Sequence, residues 1–291
     1  MTVGSKTEEN LKKATSSLME LIFPIFLPVK NIHKSTAQKI FNKNNGSLII
    51  SSVFGGVEIR GRLLAQNHKD ILEALLCQET SLVRRDDSIS VNFGRYKFLK
   101  EIGRSTGNYL WLEEKIKQIR DFNFGLIFYR KDGTREVIGG FGIIDTYRFE
   151  SDGTMSVKFT KEFADFYRQE NLLHYGKYVP KIAKIKEPFL KGIVRYMLQS
   201  ENWSILFSKI IENYQLKNLV ARNEISSYRN LLRDESNRKM LKDDFNIVVE
   251  DHGATDFKIS INRDNSVVQF LQNNKNPIVK QPHKKSLFED E

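Results

Sequence analysis

Hydrophobic and polar positions along the chain follow one order twice. In each copy a short amphipathic helix is followed by a tight turn, a second helix rich in Arg, Asn, Ser and Tyr, and a pair of alternating strands. The first copy spans about residues 96–163 and the second about residues 205–270. Helix-turn-helix followed by a β-hairpin is the winged-helix plan. The pattern therefore predicts an α+β fold with two tandem winged-helix domains.

The first copy is predicted from its turns and its apolar spacing. Gly103 ends a helix over residues 96–102, and Ser105 or Thr106 is available as the N-cap of the next helix, which runs to about residue 120. The core side of that helix consists of Tyr109, Leu112, Ile116 and Ile119. The other side consists of Asn108, Trp111, Lys115 and Gln118. Asp-Gly pairs at 132–133 and 152–153 predict two hairpins, and we expect the first of them to be the wing.

The second copy is predicted in the same way. Residues 203–214 form its first helix, residues 217–222 its turn, and residues 225 to about 241 its second helix. The buried side of the second helix consists of Ile225, Tyr228 and Leu232, so that Ser226, Arg229, Asn230 and Arg233 project outward. Strands at 246–250 and 257–270 supply the second wing.

Composition and loop residues suggest the domain boundaries. Residues 1–46 are an N-terminal arm and an extended segment, in which Pro24 and Pro28 favour an edge segment packed on the first domain. Residues 47–166 form the first winged-helix domain, and residues 167–272 form the second. Residues 273–291 are polar and interrupted by proline, which predicts a disordered tail.

The charge, the cysteine content and the hydropathy of the chain indicate the kind of partner and the compartment to expect. The 291 residues include 46 Lys and Arg against 36 Asp and Glu, for a net charge of +10, which favours a polyanionic partner. The single cysteine, Cys77, excludes an internal disulfide and fits a reducing compartment. The most apolar stretch, residues 18–29, has about half the ~20 residues needed to span a bilayer. We therefore expect a cytoplasmic protein without a membrane partner.

The candidate DNA contacts lie on the two second helices and in the hairpins. Arg can donate two hydrogen bonds to guanine and Asn can pair twice with adenine, whereas hairpin Lys and Arg contact phosphates. The candidate residues are Arg104, Ser105, Asn108, Lys115, Arg130, Lys131, Arg135, Arg222, Asn223, Ser226, Arg229, Asn230, Arg233, Lys258 and Arg263. Any solvated helix can carry such residues, so it is their repetition on a basic chain that favours DNA binding.

Residue patterns for catalysis are missing from the sequence. Its five histidines are scattered with no His-x-His pair, and there is no Gly-x4-Gly-Lys-Ser/Thr loop for nucleotide phosphates. The glycine-rich stretch at 139–142 lies between strands, which favours a bulge over a nucleotide site. Asp86-Asp87 and Asp243-Asp244 are adjacent pairs whose side chains point apart. We expect neither an enzyme nor a bound metal or cofactor.

Five ordered motifs carry a family resemblance. They are QNHKDI at 66–71, VNFGRYKFLKEIG at 91–103, YLWLEE at 109–114, DTYRF at 145–149 and VKF at 157–159. In this order and spacing, over about residues 47–270, the chain resembles the winged-helix plasmid replication initiators, most closely the TrfA type. The resemblance implies binding to repeated origin sites (iterons), opening of adjacent A+T-rich duplex, and recruitment of the host initiator, replicative helicase and polymerase machinery. It also implies that monomers bind the origin and that homodimers restrain copy number.

The tail contains one further motif. Leu287 and Phe288 are adjacent apolar residues in an otherwise polar segment, and such pairs are of use in a partner's groove. With Ser286 they are similar to part of the Gln-Leu-Ser/Asp-Leu-Phe peptide that docks into the bacterial sliding clamp. Lys284 and Lys285 stand where that peptide has Gln and Leu. TrfA-type proteins carry their clamp peptide near the N-terminus, so clamp binding by Leu287 and Phe288 is a hypothesis.

Two other functions fit the same pattern. A winged-helix transcription regulator without a replication role is the main alternative, although such regulators usually combine one winged helix with an effector domain. Winged helices also serve as protein docking surfaces, which high salt sensitivity of duplex binding would argue against. The sequence leaves open the iteron sequence, the host and the oligomeric state.

Overall fold

In the computed structural model, the structure is described for residues 16–17, 25–52, 55–77, 82–85, 88–129, 134–165, 172–173, 175–199 and 203–262. The helices of this part are α1 (Thr36–Lys43), α2 (Gln66–Leu76), α3 (Arg95–Glu101), α4 (Tyr109–Arg120), α5 (Lys161–Asp165), α6 (Val179–Lys184), α7 (Pro188–Gln199), α8 (Phe207–Asn213), α9 (Leu216–Leu219), α10 (Arg222–Arg233) and α11 (Glu235–Phe245). The strands are β1 (Ser16–Ser17), β2 (Phe26–Leu27), β3 (Ser47–Ser52), β4 (Gly55–Arg60), β5 (Leu64–Ala65), β6 (Leu82–Arg85), β7 (Ser88–Gly94), β8 (Asn123–Tyr129), β9 (Arg135–Gly142), β10 (Ile144–Phe149), β11 (Thr154–Phe159), β12 (Leu172–Leu173), β13 (Ser204–Leu206), β14 (Ile247–His252) and β15 (Asp256–Ile261).

Each half of the chain contains a winged-helix unit, and the two units share one element order. In the first unit α2 is followed by β7, which has β6 as an added edge strand, then by the helices α3 and α4 and, after the inserted hairpin β8–β9, by the hairpin β10–β11. The second unit repeats this order with α7, β13, the helices α8 to α11, and the hairpin β14–β15. In each sheet the strand that comes last along the chain lies between its hairpin partner and the strand that precedes the helices. The orders are β10-β11-β7-β6 and β14-β15-β13. The fold is therefore α+β with two tandem winged-helix domains, as the sequence predicts.

The first wing, β10–β11, forms because its strands alternate and its turn contains a glycine. In β11, Val157 is buried whereas Lys158 beside it is exposed. Gly153 adopts φ +89°, a left-handed conformation that residues with a Cβ rarely take. The side-chain Oδ1 of Asp152 accepts a hydrogen bond from the backbone N of Thr154 at 2.8 Å and closes the turn. The hairpin predicted from this Asp-Gly pair is confirmed.

A separate sheet corrects the prediction of the first wing. The hairpin β8–β9, which the sequence suggests as the wing, pairs with β3–β4 in the order β3-β4-β8-β9. This pairing buries Val57 of β4 and its partner Leu126 of β8. Both hairpins of the first half contain an Asp-Gly pair, and only pairing with β7 identifies the wing. That pairing joins distant parts of the chain, which local alternation does not encode.

The second unit differs from its prediction around its helices. Residues 204–206 form β13, so the first helix begins at Phe207 rather than at Trp203, and part of the expected turn is α9. The expected long helix is divided into α10 and α11, because Asp234 between them is extended at φ −65° and ψ 122°. The Oδ1 of Asp234 accepts a hydrogen bond from the backbone N of Asn237 at 2.9 Å and caps α11.

The buried segment 25–29 connects the two units. Phe26 of β2 pairs in parallel with Leu64 of β5, which agrees with the predicted packing on the first unit. In the second unit, the hydroxyl of Tyr228 donates a hydrogen bond to the carbonyl oxygen of Pro28 at 3.2 Å. The ring of Tyr228 stacks on Phe189 with the centroids 4.1 Å apart. One continuous apolar core therefore extends through both units.

Candidate nucleic-acid interface

Helix α10 of the second unit presents a polar, cationic side to solvent. Its inner side consists of the buried Tyr228 and Leu232 with the half-buried Ile225, as the apolar spacing predicts. The carboxylate of Glu224 accepts a hydrogen bond from the backbone N of Ala221 at 2.8 Å, which stabilises the first turn. The predicted DNA contacts that are exposed on the outer side are Arg222, Asn223, Ser226, Asn230 and Arg233. Side chains of these types can hydrogen-bond to base edges in a major groove.

The guanidinium groups of Arg229 and Arg233 are joined to the second wing. Arg229 donates from Nε to the carbonyl oxygen of Thr255 at 3.1 Å, and Arg233 donates from Nη2 to that of Ala254 at 3.3 Å. Arg233 also lies 5.7 Å from the ring centre of Phe257 at the base of the wing. The sequence predicts that both arginines project outward. Arg233 is exposed, but Arg229 is half-buried, and both fix the wing beside α10.

The second wing is also held from α11. Arg238 pairs with Asp251 of β14, with 2.7 Å between Nη2 and Oδ1, and this hydrogen bond lowers the pKa of the Asp251 carboxyl. A cleft of about 390 Å³ lies between these helices and the wing turn, and its charged lining consists of Arg233, Arg238, Glu235, Asp251 and Asp256. The predicted phosphate contact Lys258 is exposed on β15, opposite Glu250.

Helix α4 of the first unit has the predicted core side. Its fully buried residues are Leu112, Ile116 and Ile119. The N-cap residue is Asn108 rather than Ser105 or Thr106. Ser105 and Asn108 are both exposed at this end of the helix, as expected for DNA contacts. The exposed Arg104 precedes them, with its guanidinium 4.7 Å from the ring centre of Trp111.

Lys115 and Gln118 turn toward α2 rather than away from the core. Lys115 donates from Nζ to Oε1 of Gln118 at 2.7 Å, and Nε2 of His68 lies 2.8 Å from the same oxygen. Burial lowers the pKa of the Lys115 ammonium. The neighbouring carboxylate of Glu114 opposes this shift, and the positive charges of Arg62 and Arg104 add to it. A positive surface formed by Arg62, Arg104 and Lys115 therefore lies beside the start of α4.

His68 fixes α2 against α4. Its Nδ1 accepts a hydrogen bond from the backbone N of Ala65 at 3.0 Å, so Nε2 carries the proton and donates it to Gln118. Burial, followed by the charge of Lys115, lowers the pKa of His68 from 6.5 to about 4. The ring is therefore neutral at neutral pH, and its two nitrogens are committed to holding the helices together.

Two exposed residues of the first unit, Arg62 of the positive surface and Leu110 of α4, are absent from the sequence-based prediction. Arg62 follows β4 in a connection with no motif, so no local pattern marks it. Leu110, on the first turn of α4, is 82% exposed, more than any other large apolar side chain in the described residues. Its position beside the stripe that begins at Tyr109 could have identified it as an apolar residue facing outward.

Other predicted contacts cannot be placed on this surface. Arg130, Lys131, Arg263, Leu287 and Phe288 lie outside the described residues. Arg135 belongs to β9, so its backbone lies in the sheet with β3 and β4 and not in either wing.

The described ranges contain neither a metal-binding cluster nor a membrane-spanning helix. Within them, no three His, Cys, Asp or Glu side chains are grouped to hold a metal ion. No helix in these ranges is both long and apolar enough to cross a bilayer.

Comparison with known proteins gives distant structural likenesses. The chain is similar to the crystal structure of RctB domains 2-3, with a TM-score of 0.46 and 13% identity, over 77% of this chain and 93% of that one. It is also similar to the crystal structure of Pi initiator protein in complex with iteron DNA, with a TM-score of 0.49 and 11% identity, over 68% of this chain and 92% of that one. Neither a protein-family model nor a curated protein sequence matches the chain. The winged-helix assignment rests on the chain's own strand order.

Proposed function

We propose that this chain is a plasmid replication initiator that binds repeated origin sites in duplex DNA through both winged-helix units. The observation that carries the proposal is the presence of two complete winged-helix units. Each unit has a helix that exposes polar residues near its N-terminal end, and the wing strands take the same order in both sheets. The motifs that resemble the TrfA type extend the proposal from DNA binding to replication. That specific type stays a prediction, as does the cytoplasmic location.

The second unit supplies most of the sequence readout in this proposal. Arg222, Asn223 and Asn230 lie on the exposed side of α10, where Arg suits guanine and Asn suits adenine. The wing turn follows the backbone beside the groove, held there by Arg229 and Arg233. In the first unit, Arg62 and Arg104 contact phosphates and set the register on the duplex.

Duplex opening in this proposal uses binding energy and bending rather than nucleotide hydrolysis. The chain itself performs no catalysis. It recruits the host initiator, the replicative helicase and the sliding clamp, with Leu287 and Phe288 as the clamp contact, and a homodimer restrains initiation. These partners come from the resemblance.

The proposal is tested by binding to labelled duplex from the region flanking the protein's own gene, against a scrambled duplex, over a salt series. We expect protection of several direct repeats at regular spacing, with affinity about a thousandfold above scrambled DNA. A single protected palindrome would indicate a transcription regulator. Equal, weak and salt-labile binding to both duplexes would reduce the protein to a generic polyanion binder.

A further inference from the structure

The first helices of the two units, α2 and α7, meet through buried charges. We call Asp70 and Glu73 of α2, with Lys191 and Arg195 of α7, the ionic clasp. Arg195 donates from Nη2 to Oδ1 of Asp70 at 2.8 Å and to Oε2 of Glu73 at 2.6 Å, and from Nε to Oε1 of Glu73 at 2.9 Å. Lys191 pairs with the other carboxylate oxygen of Asp70. No side chain of the clasp is more than 6% exposed.

A shell of uncharged groups completes the hydrogen bonding of the clasp. The hydroxyl of Tyr175 donates to Oε1 of Glu73 at 2.5 Å and accepts from Nε2 of Gln199 at 2.8 Å. Arg195 donates from Nη1 to Oε1 of Gln66 at 2.7 Å, and Lys191 donates to the carbonyl oxygen of Ala183 at 3.0 Å. The charged groups of the clasp therefore find hydrogen-bond partners on both helices and on the segment between them.

An interface of this composition restricts α2 and α7 to one relative orientation, and this effect is larger than its contribution to the free energy of folding. Burying two carboxylates and two cations costs desolvation that apolar side chains of similar volume avoid, so a gain in stability does not explain the clasp. The forked guanidinium of Arg195 holds two carboxylates at fixed angles, and a rotation or slide of α2 along α7 leaves buried charges unpaired. Its positive charge also keeps the pKa of the Glu73 carboxyl low despite complete burial.

The orientation of α2 on α7 fixes the two candidate DNA-contacting helices relative to each other. His68 and Gln118 join α2 to α4, and Phe189 of α7 stacks on Tyr228 of α10. Two binding modules on a rigid connection reinforce each other at the spacing that both can reach. They lose that reinforcement, about 10²–10⁴ in affinity, where the geometry forbids joint contact.

We propose that the ionic clasp sets the spacing between the two half-sites that the chain accepts on duplex DNA. Its four residues are positioning residues that act through α4 and α10. The inference rests on the proposed function, because it needs both units to contact one duplex.

The experiment measures the affinity of the full chain for a duplex that carries its protected repeat. One to ten base pairs are inserted between the two half-sites, each of which is the stretch contacted by one winged-helix unit. Each insertion moves one half-site by about 3.4 Å and turns it by roughly 35°. We expect the wild-type chain to lose about 10²–10⁴ in affinity at a half-turn insertion. The variant Asp70→Asn/Lys191→Met should bind less tightly at the native spacing and vary by less than about tenfold across the series.

The control variant Glu212→Gln/Lys209→Met removes an exposed ion pair within α8 by comparable substitutions. It should keep the wild-type spacing profile. Arg195→Lys is a second clasp variant that retains the charge but not the fork, and it should also flatten the profile. Thermal unfolding and affinity for an isolated half-site identify variants that fold.

The outcomes separate the two claims. Equal affinity losses at every spacing in a folded clasp variant would mean a purely structural role and overturn the inference. A flat profile for the wild-type chain would overturn it without any variant. Failure of the wild-type chain to bind any duplex specifically would instead remove the proposed function and the inference with it.

Discussion

Arg229 of α10 donates a hydrogen bond from Nε to the carbonyl oxygen of Thr255 in the turn of the second wing, over 3.1 Å. One turn further along the helix, Arg233 makes the corresponding bond to Ala254. Each guanidinium has five N–H donors, so donors remain for a ligand after this bond is made. The proposal places α10 and the second wing on DNA. Arg229 and Arg233, which lie on the side proposed to face the DNA, thus fix the distance between the helix and the wing.

The first prediction concerns these two arginines. We expect Arg229→Ala and Arg233→Ala each to weaken binding to the cognate site by about 1–3 kcal/mol and to relax its specificity. Competition titrations with cognate and random duplexes measure both effects. Lys217→Ala, an exposed position on α9, is the control. An equal loss on random DNA would show that the two arginines act through phosphate contacts or by holding the wing, and that they do not read bases.

The second prediction concerns Arg104, whose guanidinium stacks on Trp111 in the positive surface of the first unit. A phosphate contact releases counterions, so Arg104→Gln should reduce the salt slope of binding by about 1 and weaken cognate and random duplexes alike. The measurement is log affinity against log salt concentration for both proteins. An unchanged slope would remove this surface from the interface.

The third prediction concerns the exposed Leu110 on the first turn of α4. An apolar side chain in a major groove can contact the C5-methyl group of thymine. Replacing thymines by uracil in the first unit's half-site should therefore cost the wild-type chain about 1 kcal/mol, the value of one buried methyl group. Leu110→Ala should bind the two duplexes equally. If both proteins show the same difference, the methyl contact is made elsewhere.

The fourth prediction concerns pH and His68. The pKa of the folded-state ring is lowered to about 4, whereas the unfolded chain titrates near 6.5. Between these values the unfolded state binds the extra proton, so the stabilisation present above pH 6.5 is lost as the pH falls toward 4. Urea unfolding at pH 7 and pH 5 should differ by about 2 kcal/mol from this residue.

The matched variant for this pH effect is His68→Gln, which offers an acceptor to Ala65 but does not titrate. It should show a smaller stability difference between pH 5 and pH 7 than the wild-type chain. An identical pH dependence in the two proteins would mean that the ring is solvated and that α2 is held against α4 in another way.

The fifth prediction concerns the C-terminal Leu-Phe pair. A pull-down with purified sliding clamp should retain the full chain and lose it when Leu287 and Phe288 are replaced by Ala, because the pair fills the apolar groove. Replacing Lys284 and Lys285 by Ala is the control for charge. Retention that is unaffected by loss of the pair would end the clamp hypothesis.

Local patterns predicted the parts of this fold that local forces determine. The stripes through Leu112 and Leu232 were predicted because helical spacing repeats within a few residues. The wing was assigned to the wrong hairpin because strand pairing with β7 is a long-range choice. Lys115 was assigned to the outer side because its neighbour His68 lies on another helix.

The clasp could not be predicted at all. Asp70 and Arg195 are separated by 125 positions, and each alone is typical of a solvated helix. Only the packing of one unit on the other reveals that both are buried.

The division of charge in the clasp also bears on how copies of the chain recognise one another. The two carboxylates lie on α2, where Lys69 also approaches Glu73 with 3.9 Å between Nζ and Oε1, and the two clasp cations lie on α7. Two copies that joined α2 to α2 would bring four acids against only two copies of Lys69, and two that joined α7 to α7 would bring four bases together. Like charges in a buried contact cost several kcal/mol. The clasp therefore favours contact of α2 with α7 over contact of either helix with its own kind.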